Sequence, residues 1–246
     1  MDKNYRSVAM RVTKMLKVTS LIVFAVSASM SFAKEANELP SPFIAHYEAW
    51  RHDNNIGSAE LSLKSSGGNF YELKYSSKVS RYFLSDRRYE TSLFSFSDGK
   101  ITPIAYDFKR TGTGPDKALS AKFDAKTKTI VLREKDNQPW DGEFDNQLFR
   151  IDISRQLAQD EKEFEYKFLN YRGQKRSYVI EALEKEILNL PYGSIEAIKV
   201  RVNRDSSSRQ TYAWFAPSLD YVLVRLQQFK DDDEQGDIRL KTYQKL

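Results

Sequence analysis

Apolar and aromatic side chains recur at every second position through most of this chain. In YELKYSSKV, Tyr71, Leu73, Tyr75 and Val79 share one face, while Glu72, Lys74 and Lys78 share the other. IEAIKVRVN sets Ile198, Val200 and Val202 against Lys199, Arg201 and Asn203, and EFEYKF separates Phe164, Tyr166 and Phe168 from three charged neighbours. Successive side chains of a strand point to opposite faces, so this pattern calls for antiparallel sheet with one wet face.

Turn signals punctuate these runs: HDNNIG, SSGGN, SDGK, DAKTK, YRGQK, LPYG and DDDEQGD. Asn, Asp and Gly serve there because they tolerate left-handed backbone angles or bond locally to the main chain. The spacing predicts strands near 43–52, 56–64, 69–80, 88–97, 100–109, 117–123, 129–134, 163–170, 175–187, 194–204, 208–215, 221–230 and 237–244. Parallel sheet needs long crossovers, and most of these connections are too short. The stretch 110–117, RTGTGPDK, reads as a hairpin tip or a lid.

One helix interrupts the pattern, at QLFRIDISRQLAQ (147–159). Leu148, Ile151 and Leu157 lie toward one side, Phe149 and Ile153 widen the apolar surface, and Asp145 or Asn146 is placed to cap its start. Such a helix packs against the sheet and plugs one opening. The expected fold is mainly β: a strongly curved antiparallel sheet or partly open barrel, with one or two short helices packed on it.

The first 33 residues have a different logic. Lys3, Arg6, Arg11, Lys14 and Lys17 precede an apolar run, Val18–Ala28, and Ser31 and Ala33 occupy the small-residue positions of a cleavage site. The run, about 11 residues, is short for a hydrocarbon layer of roughly 30 Å. The expected organisation is a signal peptide at 1–33, a linker at 34–42 and a single β domain at 43–246, located in the periplasm with no stable transmembrane insertion after cleavage. The leader also supplies +4 of the formal charge of +5. The nearly neutral remainder argues against nucleic acid as a partner.

Chemistry-bearing motifs are scarce. The chain has no cysteine and only two histidines, His46 and His52, which excludes thiolate and multi-histidine sites. It has no dinucleotide fingerprint, Walker loop, zincin motif or nucleophile elbow. TGTG (111–114) lacks the lysine and helix of a phosphate loop, and DDDE (231–234) reads as a solvated turn. Glu184 and Glu186 share a face of an extended strand with Glu181 on the other, which sets up no carboxylate pair. No catalytic, cofactor-binding or metal-binding residue is assigned, and no cofactor is expected.

The densest polar stretch is RVNRDSSSRQTYAWFAPSLDY (201–221). Its arginines either pair with neighbouring carboxylates or receive an anion through their planar forks. Several strands here carry bulky residues on both faces, so one face can fill a core while the other lines a cavity. The candidate cavity residues are Val200, Trp214 and Leu223, with Arg204 and Arg209 as a candidate polar rim.

The stretches FIAHYEAWRHDNNIGSAELSL, YETSLFSFSDGKITPIAYDFKRTGTG and AKFDAKTKTIVL, followed by the long run from Tyr178 to Gln228, occur in an order that resembles the DUF3108 family of exported bacterial proteins of unknown function. The segment DNQLFRID departs from that family's more regular Q-D-x-L-S pattern. The family in turn looks broadly like the periplasmic half-barrel carriers of lipoproteins, which implies a curved sheet around an apolar concavity. The leading expectation is a non-enzymatic periplasmic binding or carrier module for an apolar or amphipathic envelope component, with a lipid as partner. The alternatives are a protein-interaction or envelope assembly factor, whose partner is an envelope protein, and an envelope hydrolase.

Overall fold

The computed structural model describes residues 38–203 and 208–246. The expected signal peptide, linker residues 34–37 and Arg204 lie outside the described residues. In chain order the elements are β1 (Phe43–Arg51), β2 (Asn54–Gly67), β3 (Phe70–Arg81), β4 (Leu84–Ser97), β5 (Lys100–Gly112), β6 (Lys117–Asp124), β7 (Thr129–Leu132) and β8 (Gln138–Pro139). The helix α1 (Leu148–Ala158) follows, then β9 (Glu163–Leu169), β10 (Lys175–Leu190), β11 (Gly193–Asn203), β12 (Arg209–Ala216), a 3-10 turn (Pro217–Leu219), β13 (Val222–Lys230) and β14 (Asp233–Lys245).

All fourteen strands belong to one sheet, in the order β8-β7-β6-β5-β4-β3-β2-β1-β14-β13-β12-β11-β10-β9. Each strand lies beside its neighbours in sequence except β8 and β9, which form the two edges, and β14 returns to pair with β1, with Tyr47 opposite Leu240 and Ala49 opposite Ile238. The structure is therefore a strongly curved, partly open antiparallel barrel, with the open seam between β8 and β9.

The chain from 138 to 147 spans that seam. Gln138 and Pro139 pair with β7, the Trp140 N–H reaches the Lys128 carbonyl, and Phe144 bridges Phe168 on β9. The β9–β10 turn leans back across the gap: the Gly173 carbonyl accepts from the Gln138 amide at 2.8 Å, and Lys175 meets Glu143 at 2.5 Å. The two-residue β8 has no period-two signal of its own, which is why periodicity passes over it.

The helix lies inside this curve. Asp145 accepts from the N–H groups of Gln147 and Leu148 at 2.8 and 3.0 Å and so starts it, while the Asn146 side chain turns away to Glu90. Leu148 and Ile151 fill a core with Phe43, Tyr47, Leu63, Leu73 and Phe94. Phe149, Ile153 and Leu157 pack instead toward Phe168, Val200 and Phe215. Its apolar breadth is thus used on two sides, as expected of a helix surrounded by sheet. Its polar positions are buried in partnership: Arg155 pairs with Asp152 and donates to the Gly99 carbonyl at 2.6 Å, and Tyr166 donates to Asp152 at 3.0 Å.

Antiparallel alternation places the turns at 52–53, 82–83, 113–116, 170–174 and 231–232 at one end of the barrel. Left-handed residues make several of them, including His52 with Asp53 and Asp231 with Asp232. The DDDE stretch is thereby a tight hairpin turn running into β14. Gly57 corrects a turn reading, since it sits inside β2, where a Cβ would lie 2.0 Å from the Lys78 carbonyl oxygen.

Candidate functional site

A cavity of about 950 Å³ occupies the interior at the turn-bearing end, within the range of roughly 300–1,000 Å³ common for small-molecule sites. Phe149 and Ile153 from the free side of α1 form part of its floor, with Phe168, Val200, Phe215 and Leu223 from β9, β11, β12 and β13. The sheet produces this by parity: every second side chain of β11 and β12 turns inward, and the helix covers only part of them.

Toward the mouth the lining becomes basic. Among the described residues, seven basic side chains line the cavity against a single acid, Glu90. Arg88 and Arg110 share the carboxylate of Asp86, at 3.0 and 2.7 Å. Arg172 lies over the Tyr171 ring, and Arg176 donates to the Lys175 carbonyl and the Gln174 amide oxygen. Arg150 lies near the Tyr75 and Phe149 rings, and Lys117 and Arg209 complete the set. Glu90 accepts from the Tyr106 hydroxyl at 2.7 Å and from Asn146 at 2.8 Å. Residues 34–246 are almost neutral in sum, yet this opening is strongly basic. Low-dielectric walls focus such a field on an incoming anion.

The sequence candidates divide. Val200 and Leu223 line the floor, and Arg209 lines the mouth. Trp214 does not reach the cavity: Ala213 and Phe215 on either side of it line the cavity, so strand parity turns the indole away. It belongs to the buried cluster that includes Leu188, Ala197 and Val222 and donates to Glu186 at 2.9 Å, with the Arg225 guanidinium 4.8 Å from its ring.

Strand parity also needs correcting at the glutamates. A register shift between Ala182 and Lys185 inserts an extra residue into β10, which brings Glu181 and Glu186 to the same face. There Arg201 holds Glu181 at 2.6 Å and Lys199 holds Glu186 at 2.9 Å. Both carboxylates are held below their usual range by these partners, the ordinary state of surface ion pairs. His46 lies 3.5 Å from Glu60 and His52 2.9 Å from Asp233, all well exposed. Among the described residues, no cluster of three or more His, Cys, Asp or Glu is placed to hold a metal ion.

One buried acid behaves differently. Burial pushes Asp145 up to about 7, helped by nearby Glu90 and opposed by its bonds from the Gln147 and Leu148 N–H groups and Ser92. Its Oδ2 has no hydrogen-bond partner, and neither has the Oε1 of Gln147. These groups sit at the start of α1, where they fix the helix that forms the cavity floor.

Sequence reasoning missed the basic ring apart from Arg209, and it missed Phe149 and Ile153 as floor residues. Arg88, Arg110, Arg172 and Arg176 come from four separate strands and turns. Only the strand order brings them together.

A family model described as a protein of unknown function (DUF3108) matches residues 45–241. Among solved structures, a β-barrel-like protein with a domain of unknown function, DUF1849, from Brucella abortus aligns at 8% identity and TM-score 0.58 over 84% of this chain and 98% of its own. That likeness concerns the fold. An exported protein with a YmcC-like fold from Bacteroides fragilis gives 10% identity and TM-score 0.32 over 84% and 99% of the two chains. A lipoprotein from Parabacteroides distasonis gives 10% and 0.34 over 83% and 95%. No curated protein matches in sequence.

Proposed function

This chain belongs to the DUF3108 family, whose description carries no activity, and from the character of its interior we propose that it is a non-enzymatic binding or carrier module for an amphipathic anion of the cell envelope, working in the periplasm. The observation that carries this reading is one cavity with an apolar floor and a basic mouth. An acyl or other apolar chain would lie against Phe149, Val200, Phe215 and Leu223. Its phosphate or carboxylate head would meet the guanidinium groups of Arg88, Arg110, Arg176 and Arg209, whose planar forks suit such oxyanions.

Burial of the chain would supply affinity at about 0.8 kcal/mol per CH₂ removed from water. The head would fix orientation. Glu181 and Glu186 are tied up in ion pairs on a sheet face, and Glu90, at the cavity, is engaged by Tyr106 and Asn146, which favours holding over transforming the ligand. The basic leader, its apolar run and its small-residue cleavage site support the periplasmic setting.

Native mass spectrometry of protein released gently from its own periplasm tests this reading. The expected result is a complex heavier than the polypeptide, whose extra mass is extracted by organic solvent and identified as an anionic amphiphile. Recovery of bare polypeptide alone, from a preparation that remains folded and was never exposed to detergent, would count against it. Leu223→Arg, which places a charge on the cavity floor, is expected to abolish the extra mass.

A further inference from the structure

Among the described residues, the two most exposed large apolar side chains, Phe83 and Tyr82, stand together at one point of the cavity's rim. The β3–β4 hairpin ends in Tyr82, Phe83 and Leu84, which are 88, 98 and 63% exposed. Three consecutive large apolar residues at a hairpin tip are a liability in water, and a soluble chain that keeps them has a use for them.

The tip is continuous with the ligand site. Tyr82 and Leu84, with Ile56 and Val79, line a second cavity of about 570 Å³. Arg88, Arg110 and Gln235 border both this cavity and the larger one, so the two adjoin with two guanidinium groups at their common edge.

The neck of the hairpin is basic on both faces. Arg88 and Arg110 lie on the inner side. On the outer side Lys78 of β3 and Arg87 of β4 are direct cross-strand partners, both exposed. Like charges opposite each other weaken a hairpin unless something outside them is negative. The acidic turn, Asp231 to Glu234, lies on the same rim but is separated from this tip by the β1–β2 hairpin. An anionic surface would therefore attract the β3–β4 corner and repel the far one.

We propose that Tyr82, Phe83 and Leu84 are a membrane-docking tip: they insert into the surface of an anionic bilayer, with Lys78 and Arg87 against the headgroups, and set the cavity mouth on the lipid. Apolar side chains flanked by basic residues are the composition that holds a protein at an interface without spanning it. An amphiphile with little solubility in water could then pass between bilayer and cavity without crossing the aqueous phase. This inference rests on the carrier reading for its purpose, yet the two fail separately.

Vesicle flotation distinguishes them. Delipidated protein is mixed with vesicles of phosphatidylethanolamine containing phosphatidylglycerol, or with phosphatidylcholine alone. Wild type is expected to float with the anionic vesicles and to bind phosphatidylcholine at least about tenfold less, with added salt weakening the anionic interaction. The Phe83→Asp variant, changed at a tip residue that lines neither cavity, is expected to lose flotation while it still binds a soluble alkyl phosphate. Ala213→Trp, which fills the cavity, is expected to lose the alkyl phosphate and still float.

Phe83→Trp supplies a direct readout, since insertion should shift its emission to the blue only with anionic vesicles. Flotation of the Phe83→Asp variant at the wild-type level would overturn the proposal, as would failure of folded wild type to float. A wild-type dimer in sedimentation that Phe83→Asp dissociates, with no vesicle binding, would assign the tip to a second copy of the chain instead.

Discussion

Arg88 and Arg110 are direct cross-strand partners on β4 and β5, two like charges held side by side by the single carboxylate of Asp86. Burial alone would push Asp86 up, but the two guanidinium groups outweigh it and hold the acid below its usual range. Asp86 therefore adds stability that is full above about pH 4 and fades as pH falls through its depressed value.

Asp86→Asn is expected to separate structure from binding. The substitution removes the countercharge from a partly buried pair and should lower stability by about 1–2 kcal/mol. It also frees two guanidinium groups at the cavity mouth, so affinity for an anionic amphiphile should rise by about fivefold. Urea unfolding and ligand titration on the same sample check both signs. A fall in both would contradict the assignment of these arginines to the ligand's head.

Gly112 offers a second test. Its φ is +141°, and a Cβ there would lie 2.1 Å from the Ser85 carbonyl oxygen. Gly112→Ala must either push β5 away from β4 or break the ladder beside Asp86, at a cost of about 2–3 kcal/mol. Gly114, in the loop beyond the strand, has open space around its would-be Cβ, so Gly114→Ala is the matched control and should change little. Equal thermal melting of the two variants would contradict this account.

Asp145 governs a pH dependence of opposite sign to that of Asp86. Because burial raises it to about 7, the folded chain keeps a proton that the unfolded chain gives up near pH 4. Its contribution to stability is present at low pH and is lost as pH rises through about 7. Asn at this position keeps an oxygen for the two helix N–H groups but cannot ionise. Wild type should therefore lose stability relative to Asp145→Asn across that window, by up to about 1.4 kcal/mol per pH unit. Parallel profiles in urea at several pH values would show that the proton is not there.

Periodicity was enough to find thirteen of the strands because the aromatic and branched residues of each alternate with charged ones. It also placed the helix within a residue of each end, since Asp145 and the apolar breadth of LFRIDISRQL have no role in a strand. What it missed has local causes. Glycine was read as punctuation, yet Gly57 and Gly112 lie inside strands because neighbouring backbone crowds them. The inserted residue in β10 reversed the parity of Glu181 relative to Glu186, and nothing in EALEKE marks it. At Trp214 parity was legible, but which face looks inward depends on the helix and on strands distant in sequence. The basic mouth was illegible for the same reason: it is a property of strand order.

On the carrier reading, the cavity holds an amphipathic anion. Isothermal titration calorimetry of delipidated protein with alkyl phosphates of increasing chain length, and with the alcohol of each length, tests it most directly. Affinity should rise by about fourfold per methylene until the chain fills the cavity, and then level off. Each phosphate should bind about tenfold or more tightly than its alcohol, with the difference shrinking in Arg176→Ala, Arg209→Ala protein. No saturable heat at any chain length, or an affinity indifferent to both length and charge, in protein shown to be folded and ligand-free, would contradict it.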